Sequence, residues 1–377
     1  MKYIKLQNIN IELSSLGFGT MRLPINQDDT IETKQATDMI SYGFDNGINY
    51  IDTAYPYHNG QSEILTGEIL KNGYRDKVYL ATKLPSWNIH LESDFDKYLN
   101  EQLSKLQVDQ IDFYLLHCMN VNFWDQLNNF DLFRWAERIK KDGRIKYFGF
   151  SIHDSFPLFK TIIDSYDWDF CQIQYNYMNE KVQVGTEGLK YAGSKNIPVM
   201  AMEPLLGGTL ANFPDHIQKL CDDANINPVE LAFKWLLDKP EISCILSGMN
   251  NIDQVKQNIK IADSNDINSL TESESLLIEL IIKEFGIISP IPCTKCNYCI
   301  PCPVNINIPE LFGMFNALSV HKRAQDSLNK NLYSNIPIEC NANACVNCKQ
   351  CEKHCPQGIP ISNWMPKVHA GLLLNNS

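Results

Sequence analysis

Eight short apolar runs alternate with helical stretches through the first 285 residues, and that alternation leaves few folds open. The runs are residues 16–19, 49–52, 78–82, 111–116, 147–150, 170–174, 199–202 and 243–246. Each is rich in β-branched or aromatic residues and bounded by turn residues. They read as near-continuously apolar, as parallel strands buried on both faces do. Between them, residues 33–46 carry Ala36, Met39, Ile40 and Phe44 at helical spacing and stop at Gly47. Ser62 opens a run through Leu65, Ile69 and Leu70, and Pro228 starts another through Leu231, Ala232 and Trp235. Eight strand–helix units of this size predict an α/β fold, a (β/α)8 TIM barrel. A doubly wound sheet is the competing arrangement. Its dinucleotide fingerprint needs a third glycine that Gly17-Phe18-Gly19-Thr20-Met21-Arg22 lacks.

A barrel of this kind places its reactive side chains at the C-terminal ends of the strands. The second strand ends in Asp52, with Tyr57 a few residues on; the third ends in Lys83 and the fourth in His117. Neighbouring strands lie about 4.8 Å apart, so three consecutive strand ends bring these four side chains within mutual reach. Reducing a carbonyl by hydride requires a proton for the developing alkoxide. A tyrosine can deliver it, but its free pKa of about 10 is high for work at neutral pH. A neighbouring ammonium lowers that pKa. An aspartate holds the ammonium in place, and a histidine at the same rim orients the carbonyl oxygen. Singly, a Lys or Asp at a strand end is more often a surface ion pair, Tyr57 is packing, and His117 is a satisfied rim histidine. All four in strand order point to carbonyl reduction. Trp87 and Trp124 are candidates for the pocket wall, or ordinary packing.

The strings GFGTMRLP, IDTAYPYHNGQSE, ATK, LLH, GFS, QIQYN and PLLGG occur in an order that resembles the aldo-keto reductase family, over roughly residues 1–270. The resemblance implies that Tyr57 is the general acid, that Lys83 and Asp52 tune it, and that His117 positions a small carbonyl substrate. It also implies a nicotinamide cofactor, NADP(H) or NAD(H), extended across the strand ends. Gly19, Thr20 and Met21 match the first strand end beside it. Ser151 and Gln172 match the carboxamide positions, and Leu205, Gly207 and Gly208 the pyrophosphate loop. Ser247, Gly248, Gln254 and Asn258 match the adenosine end. The sequence departs from the family at three places. Ile152-His153 follows the serine, where Asn is common. Met202-Glu203 stands where an aromatic often stacks on the nicotinamide. Ser247-Gly248-Met249-Asn250 offers no Arg or Lys to a 2′-phosphate. Both nicotinamides therefore stay open, as does a flavin beside or in place of them.

Thirteen cysteines are present, nine of them between 293 and 355. With no secretory h-region at the start, a close-spaced set of this kind reads as metal binding rather than a disulfide framework. Cys345, Cys348, Cys351 and Cys355-Pro356 follow C-x2-C-x2-C-x3-C-P, the bacterial ferredoxin spacing. Cys293, Cys296, Cys299 and Cys302-Pro303 repeat it one residue shorter. In two-cluster ferredoxins the fourth cysteine ligates the other cluster. That rule assigns Cys293, Cys296, Cys299 and Cys355 to one 4Fe–4S cluster, and Cys345, Cys348, Cys351 and Cys302 to a second, with Cys340 left over. Zinc is the alternative, but it closes on four thiolates from two knuckles rather than eight in triplets. The residues between the motifs carry helix signals (Pro309, Leu311, Phe312, Met314, Phe315, Leu318). That resembles the helical ferredoxin domains of fumarate-reductase-type subunits. The expected organisation is a barrel over 1–285 and a small all-α two-cluster ferredoxin-like domain over 286–377.

Charge supports a boundary there. The whole chain is −11, whereas the residues from 286 onward hold seven Lys/Arg and four Asp/Glu, a net of +3. An acidic chain is a poor partner for nucleic acid or an anionic membrane, and no apolar run reaches spanning length. The expectation is a cytoplasmic oxidoreductase whose clusters exchange electrons with a ferredoxin or flavoprotein. The second reading is an electron-transfer or redox-sensing protein whose barrel binds nicotinamide or flavin without carbonyl turnover.

Overall fold

The computed structural model describes residues 1–6, 8–266, 268–285, 291–320, 329–330 and 332–373. The expected domain boundary at 285/286 abuts residues 286–290, which lie outside the described residues.

All eight expected strands are present. They are β3 (Leu16–Gly19), β4 (Tyr50–Asp52), β5 (Tyr79–Leu84), β6 (Ile111–Met119), β7 (Ile145–Ile152), β8 (Phe170–Gln174), β9 (Val199–Met202) and β10 (Ile242–Gly248). They run parallel in chain order, and β10 pairs back onto β3 to close the barrel. The register sets Gly19 beside Asp52, Lys83 beside Leu115, and Ser151 beside Gln172. The helices lie on the apolar stripes that the sequence predicts: Thr33–Asp45 buries Ala36, Met39, Ile40 and Phe44. Where helix Gln61–Lys71 passes helix Glu92–Leu106, a Cβ on Gly67 would stand 2.5 Å from the Leu106 carbonyl oxygen, so only glycine allows that approach.

One element has no counterpart in the sequence reading. Residues Tyr3–Leu6 (β1) and Ile11–Ser14 (β2) form an antiparallel hairpin. Leu6 and Leu13 are buried against Tyr50, Phe113, Phe170 and Cys244, near the N-terminal ends of the barrel strands. The hairpin thus covers the end opposite the expected site. Each strand is four residues long and half of it faces solvent, so no apolar run announces it.

The chain divides into two compact units: Met1–Leu205 with Val229–Thr271, and Leu206–Pro228 with Glu272–Ser377. The first holds the hairpin and the barrel strands. The second contains helices and no strand among its described residues. Its core gathers Ile306, Leu311, Phe312, Ile359, Met365 and Val368, with Cys293, Cys299, Cys302, Cys345, Cys351 and Cys355 packed against it. No described helix is long and apolar enough to cross a membrane.

Candidate functional site

The loop after β4 is seated by a small hydroxyl relay. Thr20 Oγ1 donates to the Asp52 carbonyl at 3.0 Å and accepts from Ser62 Oγ at 2.7 Å, and Ser62 Oγ also meets Thr53 Oγ1 at 2.8 Å. The loop then turns through His58 and Asn59, both left-handed at φ 50° and 55°. His58 Nε2 stands 3.1 Å from the Thr20 carbonyl oxygen. This turn carries Tyr57. From β5, Lys83 is 1% exposed and its Nζ donates to Asp52 Oδ1 at 2.6 Å and to the Thr53 carbonyl at 2.8 Å. The same Nζ lies 5.1 Å from the centroid of the Tyr57 ring.

β6 delivers His117 through an irregularity. Pairing with β7 shifts register between Leu116 and Met119, where Cys118 adopts φ 58°. The His117 amide donates to Ser86 Oγ and the Cys118 amide to Ser151 Oγ, which fixes the bulge. The His117 ring then sits edge-on to Tyr57, with centroids 6.1 Å apart, and 5.2 Å from Trp87. The four expected side chains therefore converge at the ends of β4, β5 and β6. Trp87 joins them, whereas Trp124 is buried and packs toward Phe133.

The electrostatics follow from burial. It draws the Lys83 ammonium below its ordinary pKa and the Asp52 carboxyl above its own, while their mutual attraction opposes both shifts. Burial also pushes His117 well below the usual imidazole value, with Lys83 and His153 adding to the effect. His117 is thus a neutral imidazole at neutral pH, able to donate one hydrogen bond without carrying charge.

Beneath Lys83 lies a residue that the sequence reading missed. Glu63 is fully buried, and its Oε1 accepts from Thr82 Oγ1 at 2.7 Å and from Gln102 Nε2 at 2.6 Å. Gln102 Nε2 also donates to the Lys83 carbonyl, and Tyr114 donates to Gln102 Oε1. The signal was available: Thr66, Gly67 and Leu70 share one helical stripe with Glu63, making it a lone acid on an apolar face. Glu63→Leu is expected to destabilise the barrel by about 3 kcal/mol, because the buried Thr82 hydroxyl would lose its acceptor and the Gln102 amide one of its own. A urea midpoint unchanged from wild type, followed by tryptophan fluorescence, would count against that role.

The residues matched to a nicotinamide that lie in the first unit are distributed around the same rim. Ser151 and Gln172 are adjacent across β7 and β8. Gln172 Nε2 donates to Met202 Sδ at 3.6 Å, while its Oε1 is buried without a hydrogen-bond partner, as suits an acceptor awaiting a carboxamide NH2. Ser247 Oγ accepts from Asn258 Nδ2 at 3.1 Å, and Gln254 Oε1 accepts from the Asn250 amide. Gly19 pairs with Gly248, and Thr20 and Met21 follow in the turn Thr20–Arg22. Leu205 ends the first segment of the first unit. Gly207 and Gly208 lie in the turn Leu206–Ala211 with φ 68° and 96°, and nothing crowds Gly208, so its backbone is open to close approach.

In the second unit, Cys293, Cys296, Cys299 and Cys355 line one pocket walled by Ile308, Phe312, Ile359 and Ile361. Burial pushes the Cys299 thiol up, and charge on Cys296, Cys293 and Cys355 pushes it further. Burial likewise raises Cys351, to about 11, with Glu352, Cys302, Cys345 and Cys348 contributing. Each triplet is thus grouped with the Cys-Pro cysteine of the other motif. The thiols of the first group surround a cavity rather than a point. Among the described residues, no three His, Cys, Asp or Glu side chains form a site for a single metal ion. Four thiols around an apolar-walled cavity fit a bulky iron–sulfur group.

Comparison with known proteins agrees with both halves. The family model described as "Aldo/keto reductase family" matches residues 15–275, and that described as "4Fe-4S dicluster domain" matches residues 292–359. L-galactose dehydrogenase of Arabidopsis thaliana is 26% identical over 307 residues, covering 73% of this chain and 92% of that one. The NADH-specific methylglyoxal reductase of Escherichia coli K12 is 25% identical over 314 residues, covering 70% and 94%. An aldo-keto reductase from Klebsiella pneumoniae, solved in complex with NADPH, has a TM-score of 0.62 at 21% identity over 75% of this chain and 95% of that one, a likeness of fold. The chain belongs to the aldo/keto reductase family, a family of oxidoreductases, and also carries a 4Fe–4S dicluster domain.

Proposed function

We propose that the chain reduces a small aldehyde or ketone at the rim formed by Asp52, Tyr57, Lys83 and His117. The observation that carries this reading is the buried Lys83 ammonium, held 2.6 Å from Asp52 and 5.1 Å from the Tyr57 ring centroid. A bound nicotinamide, NADP(H) or NAD(H), would supply the hydride; the buried acceptor of Gln172 and the neighbouring Ser151 would hold its carboxamide. Ser247, Gly248, Gln254 and Asn258 would line its adenosine end. Tyr57 gives its phenolic proton to the carbonyl oxygen as negative charge develops there. Lys83 stabilises the phenolate left behind, and Asp52 with the Thr53 carbonyl keeps the ammonium from turning away. Neutral His117 donates a hydrogen bond that orients the same oxygen, and Trp87 walls the pocket beside it.

In the same proposal the cysteines hold two 4Fe–4S clusters, one on Cys293, Cys296, Cys299 and Cys355, the other on Cys302, Cys345, Cys348 and Cys351. A cytoplasmic setting suits an oxygen-sensitive group and thirteen cysteines of which none is in a disulfide. Clusters pass single electrons and nicotinamide passes hydride, so joining the two chemistries calls for a flavin or a flavoprotein partner. The dicluster match also favours a second reading, in which the chain transfers or senses electrons and the barrel binds nicotinamide as a ligand only. Anaerobic single-turnover mixing of the NADPH- or NADH-loaded protein with a panel of aldehydes separates them. Loss of the reduced-nicotinamide absorbance on mixing with any aldehyde supports the reductase. Its persistence across the panel, with both nucleotides bound, favours the second reading.

A further inference from the structure

The two cysteine loops share a local backbone design and differ in what they present. In the first, Lys295 and Asn297 flank Cys296 with left-handed φ of 54° and 67°; in the second, Asn347 and Lys349 flank Cys348 with 54° and 59°. The first loop is the less open of the two at its cysteine, although Lys295 and Asn297 are exposed. Cys296 is half-buried, Thr294 is buried, and the Lys295 side chain lies across Gly313 of the helix Ile308–Val320. The second is open. Cys348 alone among the eight expected ligands is exposed, and Val346 beside it is 63% exposed. Asn347, Lys349, Gln350 and Lys353 are exposed as well. The one acid of this loop, Glu352, is turned inward, accepting from the Ser362 amide at 2.8 Å and from its hydroxyl. What faces solvent around Cys348 is thus an apolar side chain ringed by two ammonium groups.

We infer that this second loop is the electron port of the chain and docks a small acidic one-electron carrier protein over Cys348. The inference rests on the proposal that Cys302, Cys345, Cys348 and Cys351 hold a cluster. Charge selects the partner. The residues from 286 onward are +3 in a chain of −11, so a carrier of negative charge is repelled by most of the sequence and attracted by this part of it. Val346 supplies an apolar contact, and Cys348, one of the proposed cluster ligands, is exposed beside it. In the transfer, the reduced carrier loses one electron and the cluster gains that electron; no bond is made or broken.

The test uses the full chain, purified anaerobically. Iron and sulfide analysis, and the extent of bleaching by dithionite, first establish the clusters. Stopped-flow mixing with a reduced acidic bacterial-type ferredoxin then gives a second-order rate constant as a function of salt. The double variant Lys349→Asn/Lys353→Glu reverses the charge, from +2 to −1 at these two positions, while keeping a residue that tolerates φ near 59° at position 349. It is expected to slow the reaction about tenfold or more at low salt and to flatten the salt dependence, with iron content and bleaching unchanged. Lys295→Glu, on the first loop, is expected to slow the reaction far less than the double variant does. A double variant that reacts at the wild-type rate, or a Lys295→Glu variant that slows as much, overturns the port. Wild-type protein with iron for one cluster or none overturns the cluster assignment itself, and the port with it.

Discussion

Replacing Tyr57 by phenylalanine is expected to lower kcat/KM for carbonyl reduction by roughly 10²–10⁴-fold, the usual worth of a positioned general acid. Nicotinamide affinity should stay within about twofold, because the groups matched to the cofactor are on other strand ends. The expected size of the effect comes from the surroundings of the ring. The Lys83 Nζ is 5.1 Å from the ring centroid and cannot swing away, being tied to Asp52 at 2.6 Å and to the Thr53 carbonyl at 2.8 Å. Its charge acts where little water is present to screen it. Lys83→Met removes that charge and should give a loss of similar size. The double variant should be little worse than either single one, because the phenol and the ammonium act as a unit. Steady-state kinetics on the three variants, with nucleotide binding followed by fluorescence quenching, check this. A Tyr57→Phe protein with wild-type kcat/KM would remove the phenol from the reaction. Fully additive losses would mean that Lys83 acts independently of it.

How much of this was legible in the sequence depended on whether a residue's role is local. The barrel was legible because each of its strands is an apolar run that must be buried on both faces, and a run of that kind is visible without knowing its neighbours. Asp52, Lys83 and His117 were legible because they are polar residues placed directly at the ends of such runs. Glu63, which closes the IDTAYPYHNGQSE string, was visible as a lone acid on an apolar helix face, but its role was not. Its partners Thr82 and Gln102 come from other elements, and only the closed barrel brings them to 2.7 and 2.6 Å. The bulge that aims His117 was hidden for the same reason: Cys118 reads as one more strand residue until its pairing with β7 is seen to slip. The N-terminal hairpin was hidden by its shortness. In the second unit the spacing of the cysteines is itself the signal, and it survives without any tertiary information. The difference in exposure between Cys296 and Cys348 does not, because the two loops are nearly the same locally.

The crossed assignment of the cysteines makes the second large prediction, since it says that the outer cysteine of each motif serves the other motif's cluster. Cys355→Ser is expected to cost the cluster of the first triplet, lowering iron from about eight to about four per chain. Cys355 lines the same cavity as Cys293, Cys296 and Cys299, and its thiol is pushed up mainly by burial, with Cys293 contributing. The double variant Cys355→Ser/Cys293→Ser should therefore lose no more iron than either single variant, whereas Cys355→Ser/Cys345→Ser should lose nearly all of it. Neighbourhood in sequence makes the opposite forecast: Cys355 would pair with Cys345, and the two double variants would exchange outcomes. Stability should follow the iron. Six of the cysteines pack against the core of the second unit, among them Cys293, Cys299 and Cys355. Losing a cluster there removes both a cross-link and the group around which Ile308, Phe312 and Ile359 are arranged. Limited proteolysis of the anaerobic protein should then cut residues 291–373 rapidly in the doubly depleted variant while leaving the barrel intact. Iron retained at about eight in both Cys355→Ser and Cys355→Ala would mean that position 355 holds no cluster, and the crossed assignment would fall.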